Sequence, residues 1–136
     1  MKEHTCIFCL GSNTDSSVNI PFARKLIEEY FGNVTFGKSM TTHPINLENK
    51  SVFINQLGFF RTNLQIDNIN REFKNIEHTC GRQAQDKQNE IVKIDIDLLA
   101  FDNKPIKNKE LSFPFITEGM KEIKELIRKK SFLNKE

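Results

Sequence analysis

The order in which hydrophobic periodicity changes along this chain limits its fold more than any single residue does. Apolar residues at alternating or continuous positions mark strands, and apolar residues three or four apart mark helices. HTCIFCL, from His4, reads as a first strand. A loop of turn residues follows, Gly11 to Ser17. Phe22, Leu26 and Tyr30, with Ala23 and Ile27, give a helical stripe. Pro21 suits its first turn and Gly32 ends it. Val34 to Thr42 reads as a second strand and Ser51 to Thr62 as a third, across a polar loop from His43 to Lys50. Ile66, Ile69, Phe73 and Ile76 recur at helical spacing and stop near Gly81. A polar segment, RQAQDKQNE, leads to a last long strand, Ile91 to Phe101. A turn at Asp102 to Pro105 precedes a short hairpin. Met120, Ile123, Leu126 and Ile127 mark a final amphipathic helix with Thr117 as its N-cap.

This order is β-α-β-β-α-β with additions. It predicts an α+β, ferredoxin-like α/β sandwich with an antiparallel sheet and a C-terminal helix. In that arrangement the first and fourth strands are central neighbours, which puts Asp95 and Asp97 close to Gly11–Asn13. The 136 residues suit one domain. A net charge of +2 is too mild to predict a nucleic-acid partner. No apolar run reaches the roughly 20 residues of a membrane helix, and the N-terminus lacks the cleavage site of a signal peptide. The expectation is a cytoplasmic monomer. Three cysteines argue against a disulfide framework. Cys6 and Cys9 lie three apart on a strand, hence on opposite faces, which favours two core thiols over a zinc or redox pair.

The chemistry concentrates on Ile91–Phe101. Ile94, Ile96 and Leu98 share one face, and Lys93, Asp95, Asp97 and Leu99 the other. Carboxylates two apart on a strand, about 6.6–6.8 Å at Cα, can converge on one point, and like charges so placed need relief. Solvent on an open polar face could supply it, as could Lys93 or a divalent metal. Hard oxygen ligands without nearby Cys or His suit Mg²⁺ over zinc. The spacing alone leaves these alternatives open. No phosphate-cradling glycine loop and no nucleophile elbow is present. His4, His43 and His78 lack ligand spacing, and Phe59 and Phe60 read as core.

Several segments, in order, resemble the 6-hydroxymethyl-7,8-dihydropterin pyrophosphokinase family. They are Gly11-Ser12-Asn13, Thr42-His43-Pro44, Phe53-Ile54-Asn55, Ile76-Glu77 to Gly81-Arg82, and Ile94 to Leu99. The resemblance implies pyrophosphoryl transfer from ATP to a pterin in folate biosynthesis, with two Mg²⁺ ions held by Asp95 and Asp97. It implies a pterin pocket at Thr42, Pro44, Phe53 and Asn55. It implies a nucleotide side at Lys74, Glu77, Leu98 and Lys121, with Arg82 among the catalytic groups. The chain also departs from the family. Where the family carries an arginine- and tryptophan-containing loop, this chain has Gln83 to Val92, and of the arginines only Arg82 remains. Phe115 and Ile116 replace a His-Tyr type pair that contacts ATP. Phosphoryl transfer depends on such charges, and lysines such as Lys87 and Lys93 do not reproduce a bidentate guanidinium. Three readings follow: a pyrophosphokinase, a catalytically reduced homologue that binds pterin or another ligand, or a small α/β domain whose aspartates face water.

Overall fold

The computed structural model of the chain describes residues 3–44, 48, 50–106, 111 and 113–134, with side chains as far as 131. The elements are β1 (His4–Ser12), α1 (Ser16–Phe31), β2 (Val34–Thr42), β3 (Phe53–Thr62), α2 (Ile66–Thr79), β4 (Asp95–Phe101), β5 (Lys104–Pro105) and α3 (Pro114–Asn134). The sheet order is β2-β3-β1-β4-β5 and every pairing is antiparallel. This is the expected ferredoxin-like α+β architecture, with β1 and β4 side by side inside the sheet.

β1 is buried on both faces, which is why its sequence reads as a nearly unbroken apolar run. Cys6, Phe8 and Leu10 enter the core beneath α1 and α2, which supply Ile20, Ala23, Ile27, Ile69, Phe73 and Ile76. Ile7 and Cys9 enter a second core beneath α3, with Leu57, Phe59, Leu99, Ile116 and Ile123. Phe59 and Phe60 are therefore core, one on each face. The three cysteines are buried thiols outside any disulfide, with Cys6 and Cys9 on opposite faces as predicted. Gly119 lets α3 lie close to the sheet, because a Cβ there would come within 2.9 Å of Leu57.

Four local expectations change. α1 begins at Ser16, so Pro21 is an interior residue rather than part of the first turn. It is exposed, and the Ser17 carbonyl that loses its partner lies on the same solvated side. The buried stripe of α1 is consequently Ile20, Ala23 and Ile27, while Phe22 and Tyr30 are exposed. β4 begins only at Asp95, because pairing with β1 stops at Gly11 and β1 itself ends one residue later at Ser12, which leaves Ile91–Lys93 beyond the partner strand. Asn13 takes over there. Its backbone N–H donates to Val92 O at 2.8 Å, and its side-chain Oδ1 accepts from Val92 N at 2.7 Å. The turn is Asp102-Asn103, both with positive φ, and Lys104-Pro105 already forms β5. α3 starts at Pro114, a favoured first helical residue, so Thr117 lies inside the helix and its hydroxyl donates back to Phe113 O.

Candidate active site

Gly11 occupies the centre of a row across the sheet. It pairs with Asn55 of β3 on one side and with Asp95 of β4 on the other. A side chain at Gly11 would crowd the row, since a Cβ would stand 3.2 Å from Asn55 Oδ1. Over this row lies a cavity of about 210 Å³. Its floor is Cys9, Gly11, Asn55, Asp95, Asp97 and Leu99, and Phe113, Phe115 and Ile116 form its wall. Small-molecule pockets start near 300 Å³, so this space suits the reacting groups of a ligand rather than two whole substrates. Cavities of about 450 Å³ (beside Arg61 and Lys130) and 420 Å³ (beside Lys121 and Lys124) are larger. Neither is lined by a carboxylate pair, and the chemistry, not the volume, selects the smaller one.

The electrostatics of the pair are unusual for an exposed strand end. Asp95 is pushed up to about 7. Loss of hydration is the largest cause, followed by the Asp97 charge and a hydrogen bond shared with Asp97, then by Glu77; Arg82 opposes them. The Asp95 side chain is still 44 % exposed, so water screens part of this repulsion. Arg82 Nη1 lies 3.6 Å from Asp95 Oδ1 and donates to Glu77 Oε1 at 2.6 Å. Lys93, a candidate to relieve the pair, does not reach it. Its Nζ donates to Gly81 O at 2.7 Å and lies 3.4 Å from Asp86.

Asn55 Nδ2 donates to Thr42 Oγ1 at 2.9 Å. That bond fixes the amide and ties it to the β2–β3 end, where Thr42 pairs with Phe53. Phe53 and Pro44 are half-buried there. The structure thus brings Asn55, Asp95 and Asp97 into one cavity and adds Thr42, Arg82 and Glu77 through direct bonds. It does not bring in the others. Lys74 is exposed on α2, and Leu98 is fully buried in the opposite core. Lys121 lines the separate 420 Å³ cavity. The sequence reading missed Phe113 as part of the wall, and Asn13 and Asp86 as supports of the segment between α2 and β4. Asp86 is buried and accepts from Gln83 N at 2.9 Å. The available signals were the Asn of the GSN stretch and the Phe113-Pro114-Phe115 run beside the helix start.

Among the described residues no group of three or more His, Cys, Asp or Glu side chains converges as a metal cage. Two carboxylates at an open cavity fit the other mode of magnesium binding, in which water and phosphate oxygens complete the shell.

The fold and this cavity define an α+β protein of ferredoxin-like architecture with an acidic site over its central strands. The chain belongs to the 7,8-dihydro-6-hydroxymethylpterin-pyrophosphokinase (HPPK) family, whose profile matches residues 7–127. The match runs from β1 into α3 and agrees with the family expected from the motif order. The family is one of pyrophosphokinases of folate biosynthesis, so its class implies small-molecule substrates. A comparison with curated proteins finds no match. Among the described residues no helix is long and apolar enough to cross a membrane.

Proposed function

We propose that the protein transfers pyrophosphate from ATP to 6-hydroxymethyl-7,8-dihydropterin, using the cavity over Gly11. The hydroxymethyl oxygen bonds to the β-phosphorus, the bond from that phosphorus to the α–β bridging oxygen breaks, and AMP leaves. The hydroxyl proton passes to water. The observation that carries this reading is the placement of an oriented amide, Asn55, and a convergent carboxylate pair, Asp95 and Asp97, on the same face within one cavity.

Each group has a physical role. The Asn55 amide, held by Thr42, reads the donor and acceptor edge of a flat heterocycle. Phe53, with Thr42 and Pro44, offers an apolar surface for the ring. Asp95 and Asp97 would hold two magnesium ions, which supply positive charge to the polyphosphate oxygens. Arg82 lies beside Asp95, where it can meet a phosphate. Phe113, Phe115 and Ile116 keep water from the reacting atoms. An assay with ATP, Mg²⁺ and the pterin tests this. AMP should form in step with pterin pyrophosphate, and folded protein releasing no AMP above background rejects it.

One observation favours a second reading, a homologue that binds pterin but transfers poorly. Of the cations in the segment between α2 and β4, Arg82 is engaged by Glu77, and Lys93 by Gly81 O and Asp86. Calorimetry separates the two. Pterin binding without MgATP binding supports the reduced homologue, and tight MgATP binding argues against it.

A further inference from the structure

Among the described residues no strand covers the outer edge of β4 beside the carboxylate pair, since β5 pairs with Ala100 and Phe101 and Ile106 N reaches as far as Leu99 O. Ile96, between the two aspartates, turns its amide N–H to that edge. An unpaired amide there would be costly and would leave the strand end loose. Glu77, in the last turn of α2, meets this need. Its side chain is only 5 % exposed, its Oε2 accepts from Ile96 N at 2.8 Å, and its Oε1 accepts from Arg82 Nη1 at 2.6 Å. One carboxylate therefore fixes the backbone between Asp95 and Asp97 and also aims the cation that faces Asp95.

We infer that Glu77 is a positioning residue, not a nucleotide ligand: it sets the geometry of the Asp95–Asp97 pair through Ile96 and the placement of Arg82. Both of its oxygens already have partners inside the protein. Glu77 is also buried, so it offers a nucleotide almost no surface, and a role in contacting ATP would require its neighbours to move aside. The inference rests on the proposed reaction for its kinetic consequence, but its structural content stands apart from it.

Glu77→Gln tests it. The change preserves volume and leaves Arg82 half-exposed to water, so no buried charge is stranded. A Gln amide places a donor NH₂ where one of the two carboxylate oxygens stands, so it cannot accept from Ile96 N and Arg82 Nη1 at the two positions that Glu77 uses. Ile96 amide hydrogen exchange should accelerate at least about tenfold, with exchange at Phe8 and Leu10 unchanged. In turnover, kcat should fall roughly tenfold while the KM for ATP stays within about threefold. Unchanged Ile96 exchange overturns the inference, as does a raised ATP KM at constant kcat. If wild-type protein shows no turnover, the proposed reaction fails while the exchange result still decides the positioning role. Should the variant not fold, wild-type protein decides. The Asp95 and Asp97 carboxyl ¹³C resonances should move on adding Mg²⁺ with a non-hydrolysable ATP analogue, and that of Glu77 should hold still. A Glu77 shift as large as theirs contradicts the inference.

Discussion

Asn55 and Asp95 face each other across a single glycine. Gly11 pairs with Asn55 through one strand edge and with Asp95 through the other. The Asn55 amide and the first carboxylate are thus held on three adjacent strands, with no loop between them. Rigid elements fix such geometry better than loops do.

Gly11→Ala should therefore damage binding more than stability. The added Cβ meets Asn55 Oδ1 at 3.2 Å, so the amide must move by a few tenths of an ångström or release Thr42. Gly11 has no positive φ, so the substitution adds no backbone strain. Pterin affinity, measured by calorimetry, is expected to drop roughly tenfold, with stability lowered by less than about 1 kcal/mol.

The carboxylate pair should make the ligand-free protein less stable as pH rises. Asp95 has a folded value of about 7 against an ordinary 3.8. Between these values the folded state holds more protons than the unfolded, so stability falls with increasing pH. The penalty is absent below about 4 and complete above about 7. Asp97→Asn removes the neighbouring charge. Denaturant unfolding at pH 8 without metal should show the variant more stable by about 1 kcal/mol, a modest figure because Asp95 is half-exposed. The gain should shrink toward zero near pH 4, and Mg²⁺ should stabilise the wild type more than the variant.

Asn13 should prove structural. Its Nδ2 donates to Glu90 O at 2.8 Å and its Oδ1 accepts from Val92 N at 2.7 Å, both at a buried position. Asn13→Ala leaves these backbone groups without their side-chain partners, at a cost of about 2–3 kcal/mol. Amide exchange should rise through residues 90–94 first, and Mg²⁺-dependent stabilisation should weaken because β4 is entered from that segment.

Much of this was legible in the sequence because strand and helix periodicities alternate cleanly. The element order, the β1–β4 adjacency and the opposite burial of Cys6 and Cys9 follow from it. Phe22 and Tyr30 were misread because an exposed proline inside a helix looks like a helix start, which shifts the apparent face. Ile91–Val92 looked like strand because apolar content does not reveal that the partner strand has ended. At the site, Asp95, Asp97 and Asn55 were legible through motif order. The Lys93–Gly81 bond and Glu77's grip on Ile96 were not, because both depend on how α2 packs along the open edge of β4. No one-dimensional pattern carries that edge contact.

Mn²⁺ in place of Mg²⁺ reports where the proposed metal–polyphosphate site lies. Paramagnetic broadening of amide resonances should be recorded with Mn²⁺ and a non-hydrolysable ATP analogue. Broadening should centre on Gly11, Asn55 and Asp95–Asp97 and be lost in the Asp95→Asn, Asp97→Asn double variant. Broadening centred elsewhere, such as around Glu28 and Glu29 on α1, or undiminished in the double variant, would contradict that location.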